Sequence, residues 1–105
     1  MYSSVQYLLS GATSVSTGSL PCLGQDHFTV NINTSSFGSN VATGTVNLFV
    51  RLDSSDTYTS IYSNTFNNNS GVIVQFDGPI ENLRTTLSPL TTGTYTVACR
   101  YSSSK

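Results

Sequence analysis

Three segments of the chain alternate regularly between apolar and polar side chains. They are residues 27–33, 45–52 and 94–101. A period of two is typical of a half-buried β-strand, because successive side chains of a strand point to opposite faces of its sheet. We therefore predict a strand in each segment, with its apolar face turned towards the core. The apolar face of the second segment comprises Val46, Leu48, Val50 and Leu52.

Three weaker strand signals occupy the intervals between these segments. They are residues 58–62, 72–76 and 80–87. The first follows Asp53-Ser54-Ser55-Asp56, a turn sequence whose side chains can bond the local backbone. The second follows the Asn-rich and Gly-containing residues 67–71, which predict a loop. These segments are therefore expected to add three further strands.

Signals for helices are nearly absent from the sequence. No window of useful length places apolar residues at i, i+3, i+4 and i+7, and good helix formers such as Ala, Glu and Lys are scarce. Ser88-Pro89 and Thr92-Gly93 predict a short connection before the final strand. The pattern therefore predicts an all-β fold, an antiparallel sandwich or open barrel of about seven strands.

The apolar faces of these strands define a predicted core. Val74 and Phe76 share one face of a more continuous apolar run, and most other members lie on alternating segments. A slip of one residue in any strand would turn its apolar side chains to solvent, so burial tests the register. The predicted core comprises Phe28, Val30, Ile32, Val46, Leu48, Val50, Val74, Phe76, Leu83, Leu87, Tyr95, Val97 and Cys99.

Residues 1–23 differ in composition from the rest of the chain. They contain no charged side chain and are rich in Ser, Thr and Gly. Residues 2–9 have the pattern of a strand, with Val5, Tyr7 and Leu9 on one side. Two interpretations stay open. Residues 1–23 form either an ordinary edge strand and loop, or an arm that docks on a neighbouring subunit by strand addition.

The composition narrows the classes of function. The 105 residues indicate one domain, which we place at residues 24–105. Only 9% of the residues are charged, against about 25% in a typical domain. The formal net charge is −1, which disfavours nucleic-acid binding because that function needs a basic face. What remains is a small, neutral, β-forming domain.

The sequence carries no signal for a membrane or for secretion. Its uninterrupted apolar runs are far shorter than the roughly 20 residues of a transmembrane helix. The first charged side chain is Asp26, so we also expect no secretory signal peptide, which needs a basic start. Without a route to an oxidising compartment, Cys22 and Cys99 are expected to be buried free thiols.

Catalytic chemistry has little support in the sequence. The single histidine, His27, lies beside Asp26, but no Gly-x-Ser-x-Gly elbow supplies a nucleophile. Asp53 and Asp56 share one turn, where bonding to the turn backbone already explains them better than a Ca²⁺ site. We therefore predict no enzymatic activity, no catalytic residue, no metal site and no cofactor. Sugar stacking stays an alternative for the aromatic residues Tyr58, Tyr62, Phe66, Tyr95 and Tyr101.

Three segments between residues 45 and 101 resemble small β-domains of bacteriophage virion proteins. The first is the strand 46–52 with the Asp-rich turn that follows it. The second is the strand 80–87, and the third is residues 90–97, where a Gly-Thr pair begins the terminal strand. Such domains often place a Trp after the Asp turn, and in this sequence Tyr58 holds that place.

The resemblance implies a non-enzymatic structural component of a virion. Within that class we favour a capsid cement or decoration protein, because one small domain with an arm can clamp neighbouring capsomers. A protein associated with the tail, neck or fibre is the alternative, and a bacterial glycan-binding β-sandwich is the rival from another class. The expected partners are the major capsid protein, other virion proteins and copies of the chain itself. The expected location is the virion, assembled in the host cytoplasm.

The partner interface is expected to use exposed apolar side chains and one arginine. Arg84 lies in the middle of a predicted strand, with Asp77 and Glu81 near it in sequence. It either faces solvent, where its charge opposes the aggregation of a strand, or it belongs to an interface, where Arg is enriched. The expected interface residues are Tyr2, Val5, Tyr7, Leu9, Phe66 and Arg84.

Overall fold

The computed structural model describes residues 5–13, 16–35, 43–67 and 70–103, with the backbone alone at 89–92. These residues form eight β-strands and no helix that is long and apolar enough to span a membrane. The strands are β1 (Gln6–Ala12), β2 (Ser16–Pro21), β3 (His27–Ser35), β4 (Thr43–Arg51), β5 (Thr59–Phe66), β6 (Ser70–Asp77), β7 (Asn82–Thr92) and β8 (Thr94–Ser102).

The strands form two antiparallel sheets of four. Sheet A has the order β1-β8-β3-β6, and sheet B has the order β2-β7-β4-β5. Every connection except the β4–β5 hairpin therefore passes from one sheet to the other. This is the order of a jelly roll, in which two Greek keys pack face to face. The predicted all-β sandwich is confirmed, and it is not a closed barrel.

Each of the six segments between residues 27 and 101 that the sequence pattern assigns to a strand contains one. The largest difference concerns β7, which continues through Ser88 and Pro89 to Thr92. Pro89 lies where the pairing of β4 with β7 shifts register, between the pairs Gly44↔Leu90 and Val46↔Leu87. A bulge is one of the few places where a sheet accepts proline, so the predicted break is a bulge.

The core lies between the two sheets and confirms most of the predicted members. Ten of the thirteen are buried, and Val50, Val74 and Phe76 are half-buried against the core. The alternation therefore set the registers of β3, β4, β7 and β8 correctly. The predicted core missed four buried hydrophobic side chains, which lie in β1 or near strand ends: Leu8, Leu9, Phe66 and Ile80.

Strand β1 departs from the predicted alternation. Val5 and Tyr7 are exposed, whereas Leu8 and Leu9 are both buried. The cause is a β-bulge: Tyr7 pairs with Ala98 and Leu9 with the next residue, Val97, so Leu8 is an extra residue in β1. The prediction that Val5, Tyr7 and Leu9 share one side is therefore wrong for Leu9.

Residues of the 1–23 segment belong to both sheets. β1 is an edge strand of sheet A beside β8, and β2 is an edge strand of sheet B beside β7. The two strands meet where Gly18 lies against the backbone of Leu8, so closely that a Cβ at position 18 would overlap the Leu8 carbonyl group. This contact joins the two sheets along one side of the sandwich.

The two cysteines are free and buried, as predicted. Cys22 follows β2 and Cys99 lies in the interior strand β8. Burial raises the pKa of the Cys22 thiol to about 11. Burial, together with the nearby Cys22, raises the pKa of the Cys99 thiol to about 12. Both groups are therefore neutral thiols at neutral pH.

Thiol titration tests this arrangement. In the folded protein at about pH 8, we expect neither cysteine to react with an aromatic disulfide reagent within minutes, because the thiolate is the reactive form and the sulfur is enclosed. After unfolding in guanidinium chloride, both thiols should react. An intact mass that rises by about two daltons on reduction would instead reveal a disulfide.

Candidate interaction surfaces

The outer face of sheet B carries a cluster of two arginines and one tyrosine. The guanidinium carbon of Arg51 lies 4.7 Å from the centre of the Tyr58 ring, and that of Arg84 lies 5.1 Å from it. Arg51 comes from the end of β4, Arg84 from the interior strand β7, and Tyr58 directly precedes β5. Cation–π contacts of this kind fix both long side chains over the ring.

The two arginines differ in their ionic partners. Arg51 donates from Nε to Glu81 Oε1 over 2.6 Å, and this hydrogen bond is the main cause that raises the Arg51 pKa. Glu81 also donates its backbone N–H to the Arg51 carbonyl over 2.8 Å. Within the described residues, no carboxylate lies within 4.0 Å of the Arg84 guanidinium. Arg84 is therefore oriented by Tyr58 without being neutralised.

The structure changes the interpretation of Arg84. Its strand, β7, lies between β2 and β4 in sheet B, so Arg84 does not protect a strand edge. Its neighbours in the adjacent strands are Ser19 and Phe49. The two acidic residues near Arg84 in sequence pair with other side chains. The Glu81 carboxylate pairs with Arg51, and the Asp77 carboxylate pairs with His27.

The Asp-rich turn after β4 supports the same end of sheet B. Asp53 accepts a 2.5 Å hydrogen bond from the Ser55 hydroxyl, and its carbonyl accepts one from the Asp56 N–H over 3.0 Å. The hydrogen bond from Ser55 is the main cause that lowers the Asp53 pKa. This is the local backbone bonding expected from the turn sequence.

The outer face of sheet A is different, because its exposed side chains are largely uncharged. One row runs across all four strands through the register pairs Tyr7↔Ala98, Ala98↔Asn31 and Asn31↔Ile73. Tyr7 is 60% exposed and Ile73 is 66% exposed, at the two ends of the row. Large apolar side chains thus lie at both edges of the row, with the small Ala98 and the polar Asn31 between them.

A shallow groove of about 240 Å³ follows this row. Val5, which is 46% exposed, lies at one side of it. Its other lining residues include Thr29, Asn31, Ile73, Ala98 and Arg100. Exposed apolar side chains with polar neighbours, as Val5, Ala98 and Ile73 have here, are typical of interaction sites in soluble proteins.

The six expected interface residues therefore fall into different places. Val5 and Tyr7 lie on the outer face of sheet A, and Arg84 lies on the outer face of sheet B. Leu9 and Phe66 are buried in the core, 7% and 3% exposed, so their side chains face the interior of the folded domain. Tyr2 lies outside the described residues. Sequence reasoning missed Ile73, which lies in a run of three apolar residues with no alternation to show its direction.

His27 forms a small ionic cluster at one end of sheet A. Its Nδ1 atom lies 2.9 Å from Asp77 Oδ1, and its Nε2 atom lies 3.5 Å from Asp26 Oδ1. The hydrogen bond to Asp77 is the main cause that raises the His27 pKa, and the Asp26 carboxylate adds to it. Both ring nitrogens face carboxylates, so the arrangement is that of an ion pair between paired strands.

The aromatic side chains proposed for sugar stacking are mostly used inside the fold. Tyr95 and Phe66 are buried edge to face, with ring centres 6.3 Å apart. Tyr62 and Tyr101 pack against the core, and Tyr58 is covered by the two arginines. These five residues therefore provide no open aromatic platform. Among the residues that the structure describes, no group of three or more His, Cys, Asp or Glu side chains is placed to hold a metal ion.

Comparison with known proteins gives an extensive structural likeness. No protein-family model matches the sequence, and no curated protein matches it. The fold is similar to that of the SPBc2 prophage-derived protein YomS, with a TM-score of 0.71 and 16% identity, over 96% of this chain and 94% of that chain. A structure described as "CBM4 structure and function" reaches a TM-score of only 0.36 at 10% identity, over 89% of this chain and 87% of that chain. At these identities, the likeness to YomS shows that the two chains share a fold.

Proposed function

We propose that this protein is a non-enzymatic structural protein of a bacteriophage virion, and specifically a cement or decoration protein that stabilises the capsid shell through protein–protein contacts. The observation that carries the proposal is the likeness in fold, over nearly the whole of both chains, to a prophage-derived protein. The resemblance of residues 45–101 to small virion β-domains supports the same class. Jelly rolls occur in viral capsid proteins, although a fold alone does not fix a function.

The outer face of sheet B is the surface that we assign to the shell. Tyr and Arg are the residue types that dominate binding energy at protein interfaces. Arg84 is held over Tyr58, so little side-chain entropy is lost when a partner binds its N–H groups. No carboxylate of the described residues pairs with the Arg84 guanidinium. Its N–H donors can therefore bind a carboxylate or carbonyl oxygen of the shell. Arg51 and Glu81 keep Tyr58 in place beside it.

A binding assay with fractionated virions tests the proposal. Virions that lack the protein are produced by a phage from which its gene has been deleted. They are separated into capsids and tails, and the purified protein is added to each fraction. We expect the protein to co-sediment with the capsids and to raise the temperature at which the shells break open. Binding to tails alone would make the protein a tail component, and binding to neither fraction would overturn the virion role. Retention on immobilised glycans without virion binding would support the glycan-binding rival.

The same assay tests the assigned surface. Arg84→Ala should weaken capsid binding about tenfold or more, because a central interface arginine contributes roughly 1–2 kcal/mol or more. Thr86→Ala is the matched control, since Thr86 lies two residues along β7 and half-buried on the same face. Thermal melting of both variants establishes that the domain is intact. If Arg84→Ala binds capsids as tightly as the wild type, the assignment of the shell-binding surface to the outer face of sheet B is wrong.

A further inference from the structure

We propose that two copies of this chain associate face to face through the outer face of sheet A, around a two-fold axis that runs along the strands between β8 and β3. The inference goes beyond the proposed function, because it assigns a surface, an occupant and a register without reference to a virion. It rests on the row formed by Tyr7, Ala98, Asn31 and Ile73.

The row is self-complementary under this symmetry. The axis passes between Ala98 and Asn31, the two central members, and reverses the order of the row in the second copy. Tyr7 of one copy then lies opposite Ile73 of the other, and the same contact is repeated on the other side of the axis. The two most exposed large apolar side chains of sheet A therefore cover each other. In the centre, the small Ala98 leaves room for Asn31 of the second copy.

The available area is sufficient for a specific dimer. Strands β3 and β8 have nine residues each, and four strands form the sheet. With about 3.4 Å per residue and about 4.8 Å between strands, the face measures roughly 30 Å by 19 Å. Burial of both copies then removes roughly 1,100 Å² from water, which reaches the approximately 1,000 Å² of a biological interface. The dimer is expected at the weak, reversible end of the range.

The charge distribution favours a second copy over a charged partner. Beside the row, the next residues on the same face are Thr29 in β3, Gln75 in β6 and Arg100 in β8, which are register partners. Under the proposed symmetry, Arg100 lies opposite Thr29 of the second copy, not opposite the second Arg100. No pair of like charges is therefore brought into direct contact. At one end of the same face His27 and Asp77 pair with each other, so the described part of the face offers an acidic or basic partner little to pair with.

Sedimentation velocity over a range of protein concentrations tests the proposal. The wild type should show a reversible monomer–dimer equilibrium. Tyr7→Lys and Ile73→Glu, each alone, should raise the dissociation constant at least about tenfold, because each buries an unpaired charge against an apolar side chain. An equimolar mixture of the two single variants should recover the dimer, since it pairs Lys with Glu on one side of the axis and Tyr7 with Ile73 on the other.

The recovery in the mixture is the decisive result. Thr17→Lys is the matched control on the outer face of sheet B, and it should dimerise like the wild type. A wild type that stays monomeric at high concentration would overturn the proposal, as would single variants that dimerise normally. A mixture that stays monomeric would overturn the Tyr7–Ile73 register. The assay uses the purified chain alone, so its outcome is independent of capsid binding.

Discussion

Gly18→Ala is expected to destabilise the domain by about 3 kcal/mol or more, a large fraction of the roughly 5–15 kcal/mol that holds a domain of this size together. The added Cβ would overlap the carbonyl oxygen and carbon of Leu8. These are backbone atoms, so no side-chain rotation can relieve the overlap. Either β1 or β2 must move away, and the core around Leu8 and Leu9 must open. The measurement is the midpoint of chemical unfolding.

Ser19→Ala is the control for this prediction. Ser19 is the next residue of β2 and is exposed, so its replacement should change stability by less than about 0.5 kcal/mol. In thermal melting, the Gly18 variant should unfold roughly 15 °C below the control. If both variants melt with the wild type, the edge strands β1 and β2 are not in contact at this position. The segment 1–23 would then contribute less to the domain than its place in both sheets indicates.

The sequence predicted the interior strands better than the edges, and the reason is physical. β3 and β8 are interior strands with one buried and one outward face. Their side chains therefore alternate between apolar and polar, and this alternation is visible in the sequence. The edge strand β1 has neighbours on one side only and tolerates the bulge at Leu8. A bulge shifts the alternation by one residue, and residues 5–9 contain no glycine or proline that would indicate it, whereas the second register shift of β1, between Leu9 and Ala12, contains Gly11 at positive φ.

The surfaces could be predicted only in part. Tyr7 and Val5 were recognisable as apolar residues in an uncharged segment, and Arg84 as an isolated arginine within a strand. The row that unites Tyr7 with Ile73 depends on the order β1-β8-β3-β6, which joins residues 66 positions apart in the sequence. Likewise, the contact of Arg84 with Tyr58 depends on β7 lying between β2 and β4. Strand order is a property of the assembled sandwich, and it cannot be predicted from the sequence of a single strand.

The two proposals assign the two outer faces of the sandwich to different partners. Sheet A presents an uncharged row suited to a second copy, and sheet B presents Arg84, which lies over Tyr58 and has no carboxylate partner among the described residues. Because the faces lie on opposite sides of the sandwich, a dimer formed through sheet A leaves both sheet B faces open. Such a dimer would carry its two shell-binding faces on opposite sides, so that one shell surface can engage only one of them. The Tyr7 and Ile73 variants should therefore bind capsids about as tightly as the wild type, because neither residue lies on sheet B.

Leu48→Ala is expected to cost about 2–5 kcal/mol of folding free energy, whereas Leu52→Ala should cost less than about 0.5 kcal/mol. The alternating pattern places both leucines on the apolar face of one strand and predicts similar costs. The structure separates them: β4 ends at Arg51, so Leu48 is completely buried and Leu52 is 73% exposed beyond the strand. Truncation at position 48 leaves a cavity between the sheets, while truncation at position 52 removes surface that water already covers. Urea unfolding of both variants measures the difference, and the slope of unfolding free energy with urea should stay unchanged. Similar losses at the two positions would mean that β4 continues past Arg51 and that the turn at Asp53 begins later than the structure places it.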